Sequence, residues 1–216
     1  MFCYWFSRAT LRDGRPIPPI GEWLEHVGPV VPCKSGYHGS EDPFDALQYA
    51  RGPLLHRVEL EGDLTSHGNP PDKWAGRRRR IIASIDAMEL LRTFARKRAA
   101  AVVYLWGATE VVRNYLETGN ECLREAARAV AKIAVAEADY ATDNATACAA
   151  LATCAASWPA DEAVDSAVCA CRSARAAIRA AVAGTANIKA IIVWRPEFAD
   201  MVDAAFAAAG ARASGR

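Results

Sequence analysis

The segment Gly36-Tyr37-His38-Gly39-Ser40 sets a phenol, an imidazole and a hydroxyl side by side, with a glycine on either side of Tyr37-His38. Imidazole changes charge near neutral pH and can hold a hydroxyl or a phosphate, while serine donates a hydrogen bond and tyrosine offers a ring to stack on. Tyr49, on the segment that follows, joins Tyr37, His38 and Ser40 as a candidate binding residue. The same residue types also suit a fold-defining turn between a strand and a helix, with His38 bonded to a neighbouring carbonyl. For catalysis a second cluster is needed. Gly-x-Ser-x-Gly is absent, and neither Cys33 nor Ser40 has a base and an orienting group at a recognisable spacing, so no catalytic residue is assigned.

Cys33 and His38, with Cys3 or His56, are the residue types that bind zinc, but no Cys-x-x-Cys pair exists, and Cys169 and Cys171 would point to different sides of a helix. No metal and no cofactor are expected. Lys73, Arg77, Arg78, Arg79 and Arg80, with Trp74 between them, form the one dense basic run and a candidate grip on a nucleic-acid backbone. In a strand or helix leading into Ile81-Ile82, alternate arginines would face opposite ways, so two or three at most could meet one ligand. Arg172, Arg175 and Arg179 recur at helical spacing and read as a solvated face.

The elements that must position these residues change character near residue 85. Before it lie most of the prolines and glycines and all four histidines, with turn signals such as Asp13-Gly14 and Gly28-Pro29. Phe2 to Phe6 reads as a strand, Gly21 to Val27 as a short strand or turn, and Leu54 to Leu60 as a strand with Leu54, His56, Val58 and Leu60 on one face. Pro43 to Ala50 reads as a helix capped by Ser40 or Asp42.

After Asp86 the chain is alanine-rich and helical. Asp86 to Glu89 has the form of a capping box, and the helix it opens should run to about Trp106, before Gly107. Thr109 should cap a helix to about Glu117, Gly119-Asn120 is a stop and a restart, and residues 121 to 157 hold one helix or two with Asp143-Asn144 as the break. A helix from about Asp161 should end at Gly184, and the last should run from Pro196 to Ala209, with Ile188 to Trp194 equally good as strand or helix. The expected fold is therefore α+β: a small mixed strand and helix domain over residues 1–85, followed by an alanine-rich helical bundle over residues 86–216.

With 216 residues and 52% hydrophobic content the chain can bury a full core, and a formal net charge of +1 gives no global field that recommends nucleic acid or an anionic membrane. The odd number of cysteines suits reduced thiols, and no run approaches a membrane span, so a soluble protein in the host-cell cytoplasm is expected, with no membrane partner. Large apolar anchors are sparse in the helical half, which leaves homo-oligomerisation open.

Residues 2 to 95 resemble an uncharacterised domain common in bacteriophages and prophages. The likeness rests on Cys33-Lys34-Ser35-Gly36-Tyr37-His38-Gly39-Ser40, on Pro43-Phe44-Asp45-Ala46-Leu47, on Arg57-Val58-Glu59-Leu60-Glu61-Gly62 and on Asp72-Lys73 followed by the arginines; Gly39 stands where alanine is commoner. That resemblance implies a phage or prophage accessory protein that binds a host or viral macromolecule, with a role as an inhibitor of host defence. A weaker likeness, to ADP-ribosyltransferase-like folds, implies the alternative: a nucleotide-binding or ADP-ribosylating enzyme centred on Tyr37, His38, Ser40 and Tyr49. Against that pattern, the upstream histidine or arginine motif is missing and Glu59-Leu60-Glu61 falls too soon after the motif.

Overall fold

The computed structural model describes residues 1–138, 144–181 and 187–214. It divides into two units, one made of Met1–Ala87 with Glu197–Arg216 and the other of Met88–Pro196. The expected boundary at residue 85 falls instead at Ala87, and the last segment of the chain, expected in the helical region, belongs to the first unit. Both units together give the α+β class.

Among its described residues the first unit has seven strands: β1 (Phe2–Ser7), β2 (Trp23–Glu25), β3 (Tyr37–Gly39), β4 (Leu54–Glu61), β5 (Thr65–His67), β6 (Lys73–Gly76) and β7 (Arg78–Asp86). They form two antiparallel sheets, in the orders β1-β4-β7-β2 and β3-β6-β5. The alternation in Leu54–Glu61 makes β4 the centre of the larger sheet. Cys3 faces Val58 and Trp5 faces His56 across the β1 ladder, so these residues share one side. On β7 the pairing steps from Arg57–Ala83 to Val58–Ile81 and passes over Ile82. That extra residue is a bulge, and it resets the alternation so that Arg79, Ile81 and Ser84 all point the same way as Leu60, Val58 and His56. Cys3, Val58, Leu60 and Ile81 are the buried centre of this side, with Trp5, Tyr37 and Trp74 packed around them.

On the opposite side Arg57 bonds Asp203 (2.6 Å) and lies 4.4 Å from the centroid of the Phe206 ring. Phe198, Val202 and Phe206, spaced by four residues on the returning helix, are all buried, and Phe44 meets Phe198 edge to face at 6.1 Å. Helix α1 (Pro43–Gln48) starts with a proline in its first turn, and Asp42 rather than Ser40 caps it, accepting from the Phe44 amide at 2.7 Å.

Four helices of the second unit come next: α2 (Met88–Ala100), α3 (Glu110–Thr118), α4 (Glu121–Glu137) and α5 (Asn144–Ala156). Asp86 closes β7 and α2 starts two residues later, with Glu89 in its first turn paired with Arg92. Gly119 ends α3 in the left-handed conformation, and Asn120 caps α4 by accepting from the Cys122 amide at 3.0 Å. Then come α6 (Ala163–Ala181) and α7 (Asn187–Ser214), the latter shared between the two units. Ile188 to Trp194 is helical, and Pro196 and Gly210, expected at the ends of the last helix, lie inside it. The expected break at Asp143 and the stop at Gly184 fall outside the described residues. Buried alanines dominate α5 and α6, with Ala147, Ala149, Ala150, Ala152, Ala167, Ala170, Ala174 and Ala177 each at 0% exposure.

Candidate functional site

Glycine decides how the motif folds. Gly36 has φ +88, and a side chain at Gly39 would put its Cβ 2.7 Å from that of Cys3, so the chain after Gly36 can lie directly on β1. Residues Tyr37 to Gly39 are thereby a strand and not the expected turn. Tyr4 and Ser40 exchange backbone hydrogen bonds of 2.7 and 3.0 Å at its end, and β6 pairs with it along the other edge. The α1 helix and the residue after it bring up Ala46 and Tyr49, while β6 contributes Lys73. Together these elements form a partly open cavity of about 30 Å³ lined by Tyr4, Trp5, His38, Ser40, Tyr49 and Lys73 among others. Three of the four candidate binding residues meet there; Tyr37 lies outside the lining.

His38 accepts a hydrogen bond at Nε2 from the Cys33 amide, at 3.1 Å. The neutral ring therefore carries its hydrogen on Nδ1. Burial, reinforced by the charges of Lys73 and Arg79, pulls its pKa down to about 4, so the ring is neutral at pH 7. Cys33 itself sits at φ +67, a left-handed conformation that costs a non-glycine residue free energy, and the bond to His38 holds it there.

Lys73 and Ser40 are buried, at 9% and 2% exposure. The Lys73 ammonium lies 3.7 Å from the centroid of the Tyr49 ring and pairs with no carboxylate among the described residues. Its neighbour Asp72 is engaged elsewhere, accepting from the Tyr49 hydroxyl at 2.6 Å and contacting His67 Nδ1 at 3.2 Å. Burial, and then this bond to Asp72, raises the Tyr49 phenol well above its usual value. Arg79 is also buried and has no carboxylate partner among the described residues: its guanidinium lies 3.7 Å from the centroid of the Trp5 ring and 5.1 Å from that of Tyr37, and it donates to the His38 carbonyl at 3.0 Å. Burial lowers its pKa to about 9, which leaves it cationic at neutral pH.

The basic run thus divides. Lys73 faces the cavity and Arg79 backs the strand that forms its wall, whereas Arg78 and Arg80 flank Trp23 on the other side of the sheet, at 4.5 and 4.8 Å from its ring centroid. Arg78 pairs with Glu61 at 3.4 Å, Arg80 with Glu59 at 2.6 Å, and Arg77 with Asp63, so three of the four consecutive arginines are matched by carboxylates. They do not converge on one ligand.

A second polar cluster escaped the sequence reading. Ser7 Oγ donates to the Arg8 carbonyl (2.7 Å) and so accepts from His56 Nε2–H (2.8 Å); His56 Nδ1 then accepts from the Ser84 hydroxyl (2.6 Å). Burial, with Arg79 nearby, lowers the His56 pKa to about 4. Both ring nitrogens are occupied and the ring stacks on Trp5 with centroids 4.7 Å apart. The alternation of β4 put His56 on one face with Leu54, Val58 and Leu60; the pairing with β7 brings Ser84 opposite it. Cys3, the other thiol considered beside His38, is buried, and burial with Glu41 nearby pushes it up to about 12. Among the described residues no three His, Cys, Asp or Glu side chains converge as a metal-holding group.

Among the described residues no helix is long and apolar enough to cross a membrane. No curated protein and no solved structure matches the chain. Residues 3–93, which hold every strand, the cavity and the basic run, match the family model of a domain of unknown function (DUF7666), and over that stretch the chain is similar to that family.

Proposed function

We propose that this chain is a phage or prophage accessory protein that works without catalysis: its first unit binds a host or viral macromolecule in the host cytoplasm, and the outcome is inhibition of a host defence. The observation that carries the non-catalytic reading is the state of the two inward histidines. His38 gives its Nε2 lone pair to the Cys33 amide, His56 has both nitrogens taken by serines, and both rings are neutral at pH 7 with pKa values near 4. A general base needs a free lone pair and a pKa near the working pH. The phage setting and the defence role draw on the resemblance of residues 2 to 95. The nucleotide reading has less behind it, because a cavity of about 30 Å³ holds one or two waters, and a dinucleotide needs a cleft of several hundred cubic ångströms.

The test is a saturation pull-down from phage-infected host lysate with the tagged full chain, competed by untagged protein, alongside thermal melts with NAD and mononucleotides. The proposal expects one partner whose recovery saturates and is competed away, and melts that nucleotides leave unmoved. A nucleotide-dependent rise in Tm without a saturable partner would overturn it.

A further inference from the structure

Lys73 poses a problem that the fold does not answer. A lysine at 9% exposure is unfavourable unless its charge is paired and hydrogen-bonded, yet this one has a single aromatic ring for company and a small, mostly apolar cavity in front of it. Ser40, which lines the same cavity, has no hydrogen bond to its hydroxyl among the described residues, and the Nδ1–H of His38 has none either. One cation and two neutral donors thus border a small, partly open recess without an acceptor among the described residues to take them.

We propose that this cavity is a carboxylate-binding subsite, which takes the carboxylate of an acidic peptide segment on a partner protein; this rests on the binding role proposed above. Lys73 supplies the charge, Ser40 and His38 the hydrogen bonds, and the Tyr49 ring the apolar wall. Size and charge select the class. About 30 Å³ suits the two oxygens of a carboxylate, and a single lysine facing the cavity balances a monoanion. A phosphate dianion would call for more cations than this cavity presents, since Arg79 is spent on the His38 carbonyl and two rings, and Arg78 and Arg80 pair with Glu61 and Glu59 on the far side of the sheet.

The subsite is tested on the full chain by following the His38 and Tyr49 resonances by NMR during titration with sodium acetate, with sodium chloride and inorganic phosphate at matched ionic strength as controls. Two Gly-Ser hexapeptides distinguish the sources of carboxylate: one acetylated and amidated with a central Glu, the other with Gln there and a free C-terminus. Acetate and at least one peptide should produce saturable shifts, and Lys73→Met, which keeps the stem and removes the charge, should weaken binding by about tenfold or more. Ser40→Ala, which deletes only a hydroxyl, should weaken it several-fold and serves if Lys73→Met fails to fold. Equal binding by both variants, shifts with phosphate but not with acetate, or no saturation by any carboxylate would overturn the subsite. If the pull-down partner is recovered undiminished by Lys73→Met, the subsite falls while the binding role stands; if acetate saturates the cavity but no partner is found, the reverse holds.

Discussion

Arg92 in the helical unit and Lys73 in the first unit are buried positive charges met in opposite ways. In the helical unit Arg92, at 8% exposure, reaches two carboxylates, Glu89 at 3.0 Å and Glu121. In the first unit Lys73 and Arg79, buried to a similar degree, meet aromatic rings and a carbonyl and no carboxylate among the described residues. Arg79 is satisfied by that carbonyl and the two rings, so the contrast with Arg92 rests on Lys73, and an unpaired Lys73 is what the proposed subsite requires before its ligand arrives. The cores of the two units differ in kind as well. Large side chains, namely Leu47, Leu55, Val58, Leu60, Ile81 and Phe198, fill the first, whereas α5 and α6 meet largely through alanine.

That contrast can be broken most easily in the cores. Leu60→Ala, at a fully buried position beside Val58 and Ile81, should lower stability by about 3 kcal/mol in chemical denaturation, because it leaves a cavity as well as losing transfer energy. Acid should expose the second difference, since all four histidines lie in the first unit. Above pH 6.5 His56 is neutral whether folded or unfolded and contributes nothing to the pH dependence. As the pH falls from 6.5 towards about 4, the unfolded chain takes up a proton that the folded one refuses, so stability declines by up to about 3 kcal/mol and levels off below. His38 acts in the same direction over the same window. Hydrogen exchange at a series of pH values should show this slope in the amides of β1, β4 and β7, and His56→Gln should flatten it. A smaller effect is expected from overpacking the other core: Ala174→Leu on α6 should destabilise by about 2 kcal/mol, because close helix packing leaves no room there. A neutral result would mean that the alanine interface is loose.

Much of the local structure was legible in the residues. The β1 and β4 strands, the proline-led α1, the Gly119 stop and the Asn120 cap follow from periodicity and capping chemistry, which act within a few residues. The division of the arginine run between two faces also followed from the alternation of a strand. What the chain hid was set by long-range pairing. Tyr37 to Gly39 becomes a strand because β6 and β1 bracket it, and Gly39 makes the close approach to Cys3 possible. Phe198, Val202 and Phe206 announce an apolar stripe by their spacing, but nothing local says that it joins the first unit. Lys73 looked like one more member of a basic patch, and only the position of β6 turns it inward.

The most direct measurement is the unfolding free energy of Lys73→Met beside that of Arg92→Met. If Lys73 is held for a ligand, Lys73→Met should be as stable as the wild type or more so by about 1 kcal/mol, while Arg92→Met should lose about 1–2 kcal/mol, with Glu89 left without that partner and Glu121 with Arg124 alone. Lys73→Met as destabilised as Arg92→Met, or more, would contradict the account: the charge would then be part of what holds the first unit together.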